Sequence, residues 1–276
     1  MSAKNFRKME EKKESIPLCE ALVKTSYQTQ ITDAIDKNCE NPVGFGSGFI
    51  VEYRDTVFFV TADHVVHPDD YDVDARTGKD FIVSIYNNVK PETNFLSTVV
   101  TPLGGFYYME SFNLLKPDDA PELVDVSVCI MEKKHFKYPF LTDEVQFHGL
   151  TISAGEKKLR IQSELFVEPR SDQAYFIYGK INTKLIGMML RRHDTLKEGL
   201  KYITKSGDYY LLNTPEIIDD YDDWAGLSGS PVLSETGECI GVLCSIKVDT
   251  KSIWVMPIRQ VILLMDVALN QEKINK

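Results

Sequence analysis

Ser228 lies in the run Gly226-Leu227-Ser228-Gly229-Ser230-Pro231, a turn of small residues that sets one hydroxyl between two glycines and ends in proline. Glycine permits a sharp bend, lets a substrate carbonyl approach closely and leaves backbone N–H groups able to face a developing oxyanion. A free hydroxyl is a weak nucleophile, so the turn can do chemistry only with a base and a carboxylate to orient that base. Five histidines compete for the first role: His64, His67, His135, His148 and His193. His64 stands apart because it closes Thr61-Ala62-Asp63-His64, directly after two short apolar runs, whereas the other four read as surface or loop residues. Imidazole is also the side chain that titrates nearest neutral pH, which suits a general base. Asp125 is the single carboxylate in an otherwise apolar run over 123–131, and a carboxylate in such a place needs a partner. Asp63 is adjacent to His64, but neighbours on an extended chain point to opposite sides. Asp118 and Asp119 are the alternative acids.

These residues need a frame. Residues 48–53 and 56–61 are apolar, β-branched runs separated by Arg54-Asp55, the pattern of a hairpin that delivers His64 at its exit. Further strand-like runs are expected at 81–86, 95–100 and 123–131, then at 174–179, 184–190, 209–212, 231–233, 239–248 and 253–256. Asp- and Pro-bearing loops such as 68–74 and 116–121 lie between them. Many short strands and almost no helix predict an all-β barrel or sandwich. Two exceptions flank the strands. Pro17 suits the first turn of a helix running towards Asp36, and Pro257 opens a segment with Val261, Leu264, Met265, Val267 and Ala268 at helical spacing, ending near Asn270.

Composition narrows the function classes. A net charge of -10 argues against non-specific nucleic-acid binding and against an anionic membrane surface, because both require clustered lysine and arginine. Residues 1–14 are charged and lack the apolar core of a secretory signal, and no run is long enough to span a bilayer, so a cytoplasmic location is expected. Cys19, Cys39, Cys129, Cys239 and Cys244 are odd in number and irregular in spacing, which suits reduced thiols rather than a disulfide framework or a metal site. No cofactor is expected: cysteines and histidines do not cluster, no glycine loop would cradle a phosphate, and the acidic run 219–223 is an unconvincing calcium ligand set.

Taken together, Thr61-Ala62-Asp63-His64, Asp125-Val126-Ser127-Val128 and Gly226-Leu227-Ser228-Gly229-Ser230-Pro231 resemble the trypsin-like (chymotrypsin-fold) serine proteases, and among them the bacterial, signal-less type. The order His, Asp, Ser separates this family from subtilisins and from α/β-hydrolases. Gly46-Ser47-Gly48-Phe49-Ile50-Val51 and Gly241-Val242-Leu243 are further similarities, so the resemblance covers roughly residues 43–262. It implies two six-stranded β-barrels with the site between them. The corresponding division is a charged arm and helix over 1–40, a first barrel over 41–145, a second over 146–256, and a C-terminal helix and tail over 257–276. It also implies that Ser228 is the nucleophile, His64 the base, Asp125 the orienting acid, and the amides of Gly226 and Ser228 the oxyanion hole.

Two departures from the animal trypsins are informative. Leu227 stands where those enzymes carry an acid that pairs with a newly cut N-terminus, so activation by that route is not expected. The chain is then either constitutively competent or controlled by a partner or ligand. Asp222, six residues before Ser228, is at the offset of the trypsin specificity aspartate, which would favour a basic substrate side chain. Ile246, where the resemblance places a pocket-wall glycine, would narrow that pocket, and Cys244 is grouped with it as a substrate-side residue. The acidic run is otherwise a solvated loop. The expected function is a serine endopeptidase acting on polypeptides, with a regulatory protein partner as an open element. A dormant binding module and an esterase with the same triad are the competing readings.

Overall fold

The computed structural model describes residues 16–36, 38–68, 80–88, 98–111, 122–132, 135, 140–147, 149–186 and 189–274. Expectations for the arm 1–15, the loops 69–74 and 116–121, His148, Asp118 and Asp119 lie outside these residues.

The chain opens with helix α1 (Leu18–Thr25), shorter than expected, and turns directly into strand β1 (Ser26–Asp33). The predicted helix towards Asp36 fails because Tyr27, Thr29, Ile31 and Thr32 are poor helix formers that favour a pleated surface. Two partners are available to them: β1 pairs antiparallel with β2 (Pro42–Tyr53) on one side and β4 (Phe81–Asn88) on the other. The hairpin from β2 to β3 (Thr56–Thr61) forms as predicted, and Arg54 and Asp55 both take positive φ, as the commonest two-residue turn requires. A single helical turn α2 (Asp63–Val66) follows β3. Strands β5 (Thr98–Pro102), β6 (Phe106–Ser111) and β7 (Glu122–Ile130) complete the first sheet. The expected strand at 95–100 is thus seen as β5, with 95–97 outside the described residues, while β6 was not foreseen.

The first sheet runs β5-β4-β1-β2-β3-β7-β6, with β10 (Ile161–Gln162) alongside β2, after a small hairpin of β8 (Val145–Phe147) and β9 (Leu150–Ile152). It is an eight-stranded sheet rather than the expected six-stranded ring, because β1 and β10 add to it. The second unit is a closed barrel of six strands, β11 (Tyr175–Ile186), β12 (Met189–Ser206), β13 (Tyr209–Asn213), β16 (Ser252–Pro257), β15 (Cys239–Ile246) and β14 (Pro231–Ser234). The expected strand over 184–190 is instead the end of β11 and the start of β12, whose long charged course hid its strand character.

Tyr175, Ile177, Leu200, Leu212, Leu227, Val232 and Ile253 fill the barrel interior. Helix α3 (Ile258–Ile274) leaves the barrel and packs Val261, Leu264, Met265 and Ala268 into the same apolar cluster as Phe58, Val60, Val126 and Val128 of the first sheet. Asp266 ties this return down, accepting from the Tyr53 hydroxyl at 3.0 Å and pairing with Arg54 at 2.7 Å. The chain is therefore mostly β, with two β units and a C-terminal helix.

Candidate active site

His64 and Asp125 are brought together by strand pairing. Strand β3 runs beside β7 with Thr61 opposite Ser127, so the turn that follows β3 stands beside the residues preceding Ser127. There the pairing of β7 with β6 shifts, from Ser127 opposite Tyr108 to Val124 opposite Met109, which leaves Asp125 and Val126 as a bulge. A bulge re-aims side chains out of the regular alternation. Asp125 uses that freedom fully. Its Oδ1 accepts from the His64 backbone N–H at 3.1 Å, and both its oxygens lie 3.0 Å from His64 Nδ1.

Burial works against ionisation of Asp125, but hydrogen bonds from and attraction to His64 outweigh it and hold the carboxyl below its ordinary range. An ionised carboxylate only accepts, so the proton between the two groups sits on His64 Nδ1. Asp63 takes no part. Its Oδ1 accepts from Ser127 at 2.5 Å and faces His67 Nδ1 at 3.1 Å. Among the other histidines, His193 is exposed as expected, but His135 is buried, with Nδ1 accepting from the Glu132 amide.

The glycine-rich turn lies between β13 and β14. Gly226 has φ +108 and Gly229 φ +90, and a Cβ on Gly229 would sit 2.0 Å from the Ser47 carbonyl oxygen, so the residue is required twice over. Leu227 is fully buried in the barrel core. The turn's amides alternate in use. Leu227, Gly229 and Ser230 donate to Trp224, Leu243 and Leu227 carbonyls, whereas those of Gly226 and Ser228 have no acceptor among the described residues.

Ser47 of β2 grips this turn from the first sheet, donating its N–H to the Ser228 carbonyl at 2.8 Å and its Oγ–H to the Gly226 carbonyl at 2.7 Å. Thr61 Oγ1 in turn donates to the Ser47 carbonyl at 2.7 Å. Sequence reading noted the Gly-Ser-Gly run but missed this role. Only the antiparallel pairing of β2 with its neighbours shows where Ser47 faces.

His64 and Ser228 line one cavity of about 90 Å³, together with Tyr221, Trp224, Cys244 and Ile246. The Ser228 hydroxyl donates to the Cys244 carbonyl at a long 3.4 Å, so little holds it from turning towards the imidazole. Cys244 is buried, with its Sγ 3.2 Å from the Asp125 carbonyl, and burial pushes its thiol well above the ordinary range. Asp222 is not brought to this cavity. It is exposed, and its amide donates to the Asp220 side chain, so the acidic run curls back on itself in solvent. Tyr221 and Trp224, which sequence reading did not single out, line the cavity that Asp222 does not reach.

No protein-family model and no curated protein sequence matches this chain. Among solved structures it is similar to neuropsin, a serine protease expressed in the limbic system of mouse brain, at 11% identity and TM-score 0.47, over 92% of this chain and 97% of that one. It is also similar to Deg5, at 16% identity and TM-score 0.44 over 89% of each chain. A third is the serine endoprotease from Yersinia pestis, at 14% identity and TM-score 0.45, where 90% of this chain matches and spans 64% of the other.

Proposed function

We propose that this chain is a serine endopeptidase that cleaves peptide bonds through His64, Asp125 and Ser228. The observation that carries the proposal is the alignment of parts around one cavity: Asp125 on His64 Nδ1, His64 and Ser228 on the same walls, and the unused amides of Gly226 and Ser228 beside the hydroxyl.

Ser228 Oγ attacks the carbonyl carbon of the scissile bond while His64 Nε2 takes the hydroxyl proton. The carbonyl π electrons move to oxygen, and the N–H groups of Gly226 and Ser228 hold that oxyanion. The tetrahedral species collapses, the C–N bond breaks, and His64 returns its proton to the leaving amine, which leaves an acyl ester on Ser228. Water, deprotonated by His64, then attacks the ester and frees the acid and Ser228. Asp125 stabilises the imidazolium at both steps without taking a proton.

The cavity favours an uncharged substrate side chain. Its aromatic and aliphatic lining offers no carboxylate to a lysine or arginine, and Ile246 limits its depth. Buried Leu227 and the Ser47 clamp favour a turn that is set without a newly cut N-terminus.

Labelling with a serine-directed phosphonate tests this reading. Label is expected on the native chain and absent from Ser228→Ala; no Ser228-dependent label would leave a binding module. A peptide library run beside small esters separates a peptidase from an esterase.

A further inference from the structure

A second charged cluster lies where β1 and β4 of the first sheet meet β11 and β12 of the barrel, with residues 141–158 closing it. It shares no lining residue with the cavity of His64 and Ser228. Three cations converge there. Lys180 reaches Asp143 at 3.3 Å and Asp194 at 2.5 Å. Arg192 binds Gln28 Oε1 at 2.5 Å and Thr142 Oγ1 at 2.6 Å, and also pairs with Asp143. Asp194 further accepts from the Tyr178 hydroxyl. Both carboxylates are therefore occupied by Lys180, Arg192 and Tyr178.

Lys158 is left over. It is 7% exposed, makes no hydrogen bond or ion pair among the described residues, and rests its ammonium over the Tyr27 ring, 3.7 Å from the centroid. Burial, then repulsion from Arg192 and Lys180, push its ammonium well below the ordinary lysine range despite the attraction of Asp143. Ser26, also 7% exposed, lines the same cavity with a hydroxyl that has no partner among the described residues. Lys158 and Ser26 thus both line a cavity whose innermost space of about 20 Å³ holds a water-sized sphere. With Lys158 protonated, three cations stand against two carboxylates, and one negative charge would complete the balance.

We infer that Lys158 and Ser26, with Arg192 beside them, form a site for one small monovalent inorganic anion of chloride size, which joins the two β units. A divalent oxyanion would overturn the balance of charge. The anion keeps Lys158 protonated and gives its ammonium the partner that the protein withholds. Because the site binds only where the two units are packed together, the anion stabilises the folded chain by mass action.

Thermal unfolding of the full chain at constant ionic strength tests this, with potassium gluconate replaced stepwise by potassium chloride. The expected result is a saturable rise in Tm of roughly 5 °C, reproduced by bromide. Lys158→Met should abolish the response, and Ser26→Ala, a milder change that preserves folding, should move its midpoint to about tenfold higher chloride, as loss of one hydrogen bond to an ion predicts. Bromide-soaked crystals should show an anomalous peak between Lys158 Nζ and Ser26 Oγ. Identical Tm in the two salts, an undiminished response in both variants, or bromide absent from this cavity would each overturn the site.

Discussion

Ser47 holds Ser228 by its main chain: the Ser47 N–H donates to the Ser228 carbonyl at 2.8 Å, and the Ser47 hydroxyl braces the Gly226 carbonyl at 2.7 Å. The first β unit thereby sets the pitch of a turn that belongs to the second. Replacing Ser47 with alanine keeps the backbone bond but leaves the Gly226 carbonyl without its only partner among the described residues. An unsatisfied buried acceptor costs about 1–3 kcal/mol. Ser47→Ala is expected to lower kcat by roughly 10- to 100-fold with little change in KM, because in the proposed reaction the turn presents the oxyanion donors. Steady-state kinetics read this directly, and an unchanged kcat would remove Ser47 from the machinery.

Asp125→Asn should be the most damaging change that leaves the fold intact. An amide can donate to His64 Nδ1 and so favour the wrong tautomer, with a loss in kcat of about 10⁴.

Acid stability follows from the same carboxylate. The folded-state pKa of Asp125 is depressed, so its stabilisation is present above the unfolded value, near 3.9, and is lost as pH falls through the lower folded value. Asp143, where attraction to Arg192 and Lys180 overcomes burial, has the same sign. The parent should therefore lose more stability than Asp125→Asn between about pH 5 and pH 2, as denaturant unfolding at each pH would reveal.

Leu227→Asp would place a carboxylate in the apolar barrel core. Leu227 is fully buried in the barrel core, so the substitution should destabilise by at least 3 kcal/mol. Leu227→Ala should cost about 2–5 kcal/mol. Urea unfolding measures both.

Substrate choice separates the two candidates for the specificity residue. Asp222→Ala should leave the profile of a peptide library unchanged, since Asp222 faces solvent. Ile246→Gly should shift that profile towards larger uncharged side chains by opening the cavity wall.

What could be read without the structure was what local chemistry dictates. Two apolar, β-branched runs separated by only Arg54-Asp55 specified a hairpin, because so short a link leaves room only for a two-residue turn. The helical spacing of Val261, Leu264, Met265 and Ala268 specified α3, although the helix runs on to Ile274 because Gln271, Glu272 and Lys273 favour helix as well. The order of His64, Asp125 and Ser228 was likewise visible from residue types and their flanks. Tertiary structure decided the rest. It turned Ser26–Asp33 into a strand because β2 and β4 offered two open edges, and pairing outweighs weak local preference. It sent Asp222 into solvent and brought Tyr221 and Trp224 to the cavity, since loop course depends on packing rather than on offset from Ser228. Ser47 and Lys158 acquired meaning only there as well. Ser47 meets Gly226 across 179 residues of sequence, and Lys158 is a lysine among many until the two β units close around it.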